Sequence, residues 1–173
     1  MTSQRYFVPL NIAVLTVSDT RTEENDTSGT CLAEQILEAG HQLACRRLVP
    51  DNIYRIRAVV SGWIADSAVH AILTTGGTGV TGRDGTPEAI KTLLDKELEG
   101  FGELFRSLSY REIGASTLQS RALAGVANGT YLFCLPGSTS ACRLAWTTII
   151  KAQMDYRTLP CNLVDLMPRL LEE

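Results

Sequence analysis

Residues 71–90, AILTTGGTGVTGRDGTPEAI, lead from a short apolar segment through five glycines into a sequence typical of a helix start. The apolar segment, VHAILTT at 69–75, shows no polar alternation, which predicts a β-strand covered by helices on both faces. A loop that only reverses the chain rarely needs five glycines within ten residues. Because glycines let a ligand approach the main chain closely, the pattern favours a ligand-binding loop over a plain flexible connection.

The end of this stretch carries a helix-start signal. Thr86 offers a capping hydroxyl, Pro87 suits the first helical position, and Glu88 adds an acid near the positive end of the helix dipole. We expect a helix from Thr86 to about Glu99. Strand, loop and helix in this order form the repeating unit of a parallel α/β sheet.

The same alternation of strand and helix patterns extends along the chain in both directions. Asn128 and Gly129 predict a tight hairpin turn ahead of a buried strand. The predicted fold class is therefore α/β, a three-layer α/β/α sandwich with a mostly parallel central sheet. We expect a single domain over residues 1–173, with a short N-terminal extension (1–10) and a C-terminal tail (about 157–173). The predicted strands are 11–18, 41–50, 69–75 and 131–135, and the other predicted helices are 30–40, 55–67 and 140–154.

Composition narrows the class of protein. The 173 residues carry 16 Lys and Arg against 19 Asp and Glu, and 45% of them are hydrophobic. No basic block suggests nucleic-acid binding, and no apolar run reaches the roughly 18 residues of a membrane span. The N-terminus lacks the layout of a signal peptide, so a cytoplasmic protein without a membrane partner is expected. The five cysteines form no CxxC pair and the two histidines are far apart, so we expect reduced thiols and no zinc site.

Three loops that follow predicted strands are rich in Gly, Ser, Thr or Asp. They are SDTRTEENDTSG at 18–29, GGTGVTGRDG at 76–85 and PGSTS at 136–140. In open α/β sheets, ligands bind at the carboxyl ends of the strands, where such loops lead into helix N-termini. Backbone N–H groups and small hydroxyls are well suited to phosphate, so the sequence predicts a phosphate-bearing ligand.

Two common phosphate motifs do not account for the glycine loop. Gly77, Gly79 and Gly82 fit the GxGxxG pattern of dinucleotide-binding proteins, but that pattern should open a helix at once, and here RDGTP intervenes. A P-loop requires Lys and then Ser or Thr after its last glycine, where this chain has Arg83 and Asp84.

Four further motifs follow one another along the chain: GGTG (76–79) after an apolar strand, DGTPE (84–88), LQSR (118–121) and LPGS (135–138). Together they resemble the molybdopterin-binding domain of the MogA/MoaB family, over nearly the whole chain. Other stretches are similar to the MoaB branch in particular, namely SDT (18–20), DTSG (26–29), EGFGELFR (99–106), ACRLAW (141–146) and RTLPCN (157–162).

The resemblance implies a function in molybdenum cofactor biosynthesis. In the implied reaction, ATP with Mg²⁺ adenylylates the terminal phosphate of molybdopterin, a dithiolene pterin, giving adenylyl-molybdopterin and pyrophosphate. Two anions meet in this reaction, so the site must neutralise charge and hold the reactants in line. Molybdopterin and ATP are the implied substrates, Mg²⁺ or Mn²⁺ the cofactor, and the molybdenum-inserting enzyme a further partner.

The resemblance also assigns site residues. By the family pattern, Asp51 and Asp84 are the catalytic acids that hold the metal and organise the phosphates, and Arg121 can fork onto a phosphate. From the residues alone, two alternatives stay open: Asp51 caps the next helix, and Asp84 shapes a turn. Arg83 is treated as a solvated charge outside the site. The other implied substrate- and nucleotide-binding residues are Ser18, Asp19, Gly76, Gly77, Thr78, Gly79, Thr86, Pro87, Glu88, Ser120, Pro136, Gly137 and Ser138.

The sequence leaves two questions open: whether the protein catalyses a reaction, and whether copies of the chain associate. The alternative to an adenylyltransferase is a non-catalytic molybdopterin-binding or assembly protein of the same fold. The family implies a homo-oligomer, either a trimer or, in the MoaB branch, a hexamer. A mean hydropathy of +0.03 and the apolar tail LVDLMPRLLEE also favour surface covered by neighbouring copies. The competing explanation is a sheet that is buried on both faces within one chain.

Overall fold

A six-stranded sheet forms the centre of the molecule, in a computed structural model that describes residues 5–172. The strands are β1 (Asn11–Val17), β2 (Gln42–Val49), β3 (Ala71–Thr75), β4 (Lys96–Glu97), β5 (Leu123–Ala127) and β6 (Thr130–Leu135). Their order in the sheet is β2-β1-β3-β6-β5-β4. β2, β1, β3 and β6 run parallel, whereas β5 pairs antiparallel with both β6 and β4.

Helices cover both faces of this sheet, which confirms the predicted three-layer α/β/α fold. They are α1 (Thr27–Glu38), α2 (Ile53–Ala65), α3 (Thr86–Lys91), α4 (Glu99–Ile113), α5 (Thr139–Ala145) and α6 (Lys151–Gln153), with a π-helical turn (Trp146–Ile150) joining the last two and 3₁₀ turns at Gly114–Gln119 and Val164–Arg169. In β1, Ile12 and Val14 pack with α1, α4, α5 and the π-helical turn, while Ala13 and Leu15 pack with α2 and α3. Both sets are fully buried, which explains why this strand carries no polar alternation.

Glycine ends one helix and takes part in the predicted hairpin turn. Gly40 follows α1 with φ +88°, and the amide of His41 donates to Ile36 O at 3.1 Å, so a glycine cap ends this helix. Asn128 and Gly129 both have positive φ, 46° and 79°, and form the hairpin turn that joins β5 to β6.

The predicted helix from Thr86 to about Glu99 is wrong beyond Lys91. The chain instead enters the short edge strand β4, because the amide of Asp95 donates to Val126 O at 2.8 Å and that of Leu98 to Ala124 O at 2.7 Å. These backbone partners on β5 replace the hydrogen bonds that a longer helix would have made locally. The sheet therefore contains β4 and β5 beyond the four predicted strands, and α4 was not predicted.

The two ends of the described chain lie together. Arg5 donates to Asp165 Oδ2 at 2.6 Å and to Tyr156 O at 3.0 Å. In the tail, Met167 and Leu170 pack against the core of the same chain. Much of the apolar tail is thus covered without a neighbouring copy.

Candidate functional site

The candidate site lies at the carboxyl edge of the sheet, between β1 and β3. The chain leaves β1 toward β2 on one side and returns to β3 on the other, so the topological switch point falls here. Gly76, directly after β3, has φ +98°, and a side chain there would collide with Val17 O. Its amide donates to Leu135 O at 3.1 Å, and a Cβ on Gly137 would lie 3.2 Å from its Cα. Gly76 therefore lets the ends of three parallel strands meet without side chains between them.

Gly77 forms the floor of a small cradle. It has φ +63°, and a methyl group there would collide with both Thr86 Oγ1 and Asp51 Oδ2. Its carbonyl accepts from the amide of Thr86 at 3.0 Å, which holds the start of α3 against the glycine loop. A hydroxyl and a carboxylate from distant parts of the sequence thus converge above one glycine.

Thr86 is not the helix cap that the sequence predicted. Gly85 occupies the N-cap position without a side-chain bond, so Thr86 is the first helical residue and Pro87 the second. Thr86 is fully buried, and its Oγ1 has no hydrogen-bond partner among residues 5–172. An unpaired buried hydroxyl is costly in a folded protein, and such groups are commonly found where a ligand binds.

Asp51 is available to the site because its neighbour caps α2. The side chain of Asn52 accepts from the amides of Tyr54 and Arg55 at 3.0 and 3.2 Å, so the alternative in which Asp51 caps this helix is wrong. Asp51 Oδ1 instead accepts from the amide of Gly85 at 3.4 Å.

The electrostatic surroundings of Asp51 favour a nearby cation. Burial is the main cause that raises the pKa of Asp51, and the negative charges of Asp84 and Asp19 raise it further. The amide of Gly85 and the charge of Arg83 act in the opposite direction. A bound cation would offset the repulsion among these carboxylates and favour the ionised form of Asp51.

Asp84 shapes the glycine loop in which it lies. Its Oδ2 accepts from the amide of Thr81 at 2.9 Å and from the Thr81 hydroxyl. The bond from the Thr81 side chain is the main reason that the pKa of Asp84 lies below its usual value. A Cβ on Gly79 would lie 2.6 Å from the same oxygen. The turn role that the sequence left open is therefore present, and it fixes the carboxylate close enough to Asp51 to raise the pKa of that group.

Arg121 clamps the glycine loop from the opposite side. Its Nε donates to Thr78 O at 3.1 Å and to Gly79 O at 2.9 Å, and its Nη2 donates to Asp84 O at 2.9 Å. Its Nη1 makes an ion pair with Glu88 in α3. The guanidinium predicted to hold phosphate thus binds the loop and the helix that follows it.

The remaining predicted residues surround this centre. Asp19 Oδ1 accepts from the amide of Asp51 at 3.0 Å, whereas the hydroxyl of Ser18 accepts from the amides of Thr20 and Arg21. At the end of β6, Ser138 caps α5 by accepting from the amide of Ala141 at 3.2 Å. Thr78 and Pro87 are buried, Ser120 is half-buried beside the clamp, and Pro136 accepts through its carbonyl from the Thr75 hydroxyl.

Arg83 was left out of the predicted site, yet it faces the acids directly. Its Nη2 donates to Asp19 Oδ1 at 3.2 Å, and its Nε lies 3.1 Å from Asp19 Oδ2. Its place immediately before Asp84 in the glycine loop was the available signal in the sequence.

The donors of the site fit Mg²⁺ bound together with a phosphate. Within the described part of the chain, no three or more His, Cys, Asp or Glu side chains are grouped to hold a metal ion. Mg²⁺ does not require such a cage, because it is commonly held by one or two carboxylates, with waters and substrate phosphates as its other ligands. Asp51, Asp84 and the buried Thr86 hydroxyl offer hard oxygen donors of this kind.

A separate cavity of about 520 Å³ lies away from these residues. It is lined by the start of α4, the π-helical turn and Phe133, and it includes Phe101 and Ile149. None of its lining residues belongs to the predicted site. Among the helices of residues 5–172, none is long and apolar enough to cross a membrane.

Comparison with known proteins gives consistent matches. The family described as "probable molybdopterin binding domain" matches residues 13–156. "Molybdenum cofactor biosynthesis protein B" of Escherichia coli (strain K12) is 58% identical over 156 residues, covering 90% of this chain and 92% of that protein. A crystal structure of a molybdenum cofactor biosynthesis protein B superposes with a TM-score of 0.82 at 44% identity, covering 85% of this chain and 92% of that one. The tungsten cofactor synthesizing protein MoaB from Pyrococcus furiosus superposes with a TM-score of 0.75 at 38% identity, covering 82% and 91%.

Proposed function

The chain belongs to the MogA/MoaB family of molybdenum cofactor biosynthesis proteins, and from this premise we propose that it is a molybdopterin adenylyltransferase. The observation that carries the proposal is the cradle above Gly77, where the Asp51 carboxylate meets the buried Thr86 hydroxyl at the switch point of the sheet. Within residues 5–172 this hydroxyl has no hydrogen-bond partner. ATP as co-substrate is consistent with the expected cytoplasmic location.

The proposed reaction joins two phosphates. A terminal phosphate oxygen of molybdopterin attacks the α-phosphorus of ATP, the bond from that phosphorus to the bridging oxygen breaks, and pyrophosphate leaves. Mg²⁺, when bound, would neutralise charge on the phosphates. Asp51 and Asp84 would hold it, and both are already fixed by bonds from Gly85 and Thr81.

The glycine loop would position the nucleotide. Gly76 and Gly77 keep side chains away from the strand ends, so phosphates can reach the main chain closely. The clamp by Arg121 on Thr78, Gly79 and Asp84 holds the loop in one conformation before substrate arrives. A loop ordered in advance reduces the entropy lost on binding and keeps the reactants aligned.

The test is direct. The protein would be incubated with molybdopterin and ATP, with and without Mg²⁺, and analysed for pyrophosphate and adenylylated pterin. Both products should form only with the metal. Pterin binding without pyrophosphate release would instead support the non-catalytic alternative, and calorimetry that finds no ATP binding by folded protein would reject the adenylyltransferase.

An Asp84 variant separates chemistry from folding. Asp84→Asn keeps an oxygen that can accept from Thr81, so the melting temperature should change little while turnover falls at least about a hundredfold. Full activity in this variant would contradict the metal-holding role, as would a loss of stability large enough to explain the inactivity.

We also propose that copies of the chain associate. Residues on and after α4 expose large apolar side chains, with Leu104 47%, Ile113 50% and Leu118 86% exposed. A neighbouring copy would cover this surface, and the family resemblance favours a trimer or a hexamer. The molybdenum-inserting enzyme is the further partner that this function would require.

A further inference from the structure

Arg83 is the exposed cation of the candidate site. Its side chain is 70% exposed, and its guanidinium reaches from the glycine loop to both carboxylate oxygens of Asp19. Asp19 in turn accepts from the amide of Asp51. The ion pair therefore joins the loop after β1 to the loop after β3.

The guanidinium of Arg121 is already occupied by contacts within the protein. Each of its three nitrogens binds a carbonyl of the glycine loop or the carboxylate of Glu88, and its side chain is 29% exposed. Turning this guanidinium toward a phosphate would release the loop that must receive the nucleotide. Arg83 has no such structural duty, because an exposed ion pair with Asp19 is weak and is readily exchanged.

Three acids lie close to Arg83. Asp19 pairs with its guanidinium, the amide of Asp51 donates to Asp19 Oδ1 at 3.0 Å, and Asp84 follows Arg83 directly in the glycine loop. The buried Thr86 hydroxyl, unpaired among the described residues, faces the same place above Gly77. Arg83 thus balances charge at a position where a metal and phosphates would otherwise do so.

We propose that Arg83 binds the triphosphate of the nucleotide, and that it does so by leaving Asp19, whose carboxylate then turns to the accompanying cation. This inference rests on the proposed function. In this exchange, charge-assisted hydrogen bonds from Arg83 to phosphate oxygens replace the weak, exposed ion pair with Asp19. The planar guanidinium can donate two parallel bonds to a phosphate. In the free protein, the same pair limits repulsion among the acids.

The test compares two exposed arginines. Arg83→Ala is matched by Arg169→Ala, because Arg169 is 69% exposed, pairs with Glu172 and lies outside the site. Calorimetry with ATP and Mg²⁺ should show affinity about tenfold lower for Arg83→Ala than for the control. Titration with Mn²⁺ alone, followed by electron paramagnetic resonance, should show the opposite change. Affinity for the ion should rise several-fold in Arg83→Ala, because a competing positive charge has been removed.

A third variant tests the exchange from the other side. Asp19→Asn releases Arg83, so the protein should bind tripolyphosphate without divalent ions more tightly than the unaltered protein does. The exchange predicts that Arg83→Ala binds Mn²⁺ more tightly and ATP with Mg²⁺ more weakly. A merely structural role of Arg83 would weaken the binding of both.

Two results would overturn the inference while the proposed function stands: equal ATP affinity in the two arginine variants, or unchanged Mn²⁺ affinity in Arg83→Ala. A different result would reject the proposed function itself: no binding of ATP with Mg²⁺ by the unaltered protein. That result would overturn the inference about Arg83 as well.

Discussion

Alanine at Gly77 would test whether the cradle depends on a missing side chain. An L-residue at φ +63° costs about 1–2 kcal/mol. The new methyl group would collide with Asp51 and Thr86, and forcing such groups apart in packed surroundings costs about 1–3 kcal/mol. The reduced freedom of the unfolded chain offsets about 0.4–1 kcal/mol of this loss. We expect the free energy of unfolding to fall by about 1–5 kcal/mol, which lowers the melting temperature of a chain of this length by about 2–20 °C.

Gly82 in the same loop supplies a matched control. A Cβ at Gly82 meets no atom within 4 Å, and its φ does not lie in the left-handed region. Gly82→Ala should therefore change stability by less than about 1 kcal/mol. Urea unfolding and thermal scans give the stabilities, and calorimetry gives the affinity for ATP with Mg²⁺.

Gly77→Ala should lower both stability and ATP affinity, whereas Gly82→Ala should change neither. Displacement of Asp51 by the methyl group should abolish ATP binding in Gly77→Ala, while Gly82→Ala binds as the unaltered protein does. Equal stability and equal affinity in the two variants would refute the cradle, because the collision above Gly77 is the whole basis of the difference.

Three further predictions concern the orphan hydroxyl, a buried acid and assembly. Thr86→Val removes, at nearly constant shape, a buried hydroxyl that has no hydrogen-bond partner in the described part of the chain, so stability without ligand should hold or rise by up to about 1 kcal/mol while ATP affinity falls. A clear loss of stability would show that this hydroxyl makes a stabilising bond. Burial acts to raise the pKa of Asp26, but bonds from Arg46, Thr16 and Gly29 outweigh it and hold the pKa below its usual value. The stability that this lowered pKa contributes is present above the unfolded pKa of about 3.9 and is lost as the pH falls through the lower folded pKa. Asp26→Asn should therefore lower the free energy of unfolding at pH 7 by about 1–3 kcal/mol. In acid unfolding curves, the variant should lose less stability below pH 4 than the unaltered protein does. Light scattering with size exclusion should give about three or six times 18.9 kDa, and a mass near 18.9 kDa would exclude the oligomer.

Local chemistry was sufficient for several predictions. Apolar segments without polar alternation predicted strands covered on both faces, and the hairpin at Asn128 and Gly129 followed from their tolerance of positive φ. The glycine loop predicted a ligand at the carboxyl edge of the sheet, because several glycines together allow close approach to the main chain. Each of these features depends on the conformational preferences of a few neighbouring residues, which a sequence displays directly.

Contacts between distant residues decided the rest. The helix that begins at Thr86 ends at Lys91, because the following residues make backbone hydrogen bonds to β5 instead of continuing the helix. Asp51 is available to the site because Asn52 caps α2, a choice between two adjacent side chains that both could cap a helix.

The two arginines illustrate the same division. By sequence alone, Arg121 and Arg83 are flexible cations of equal charge, and composition cannot say which one the loop binds. The fold brings Arg121 against the carbonyls of Thr78 and Gly79, more than forty positions earlier in the chain, and leaves Arg83 exposed beside Asp19. The sequence determined which chemical groups the site contains, but only the tertiary structure decided what each group contacts, because those contacts join residues that are far apart in the chain.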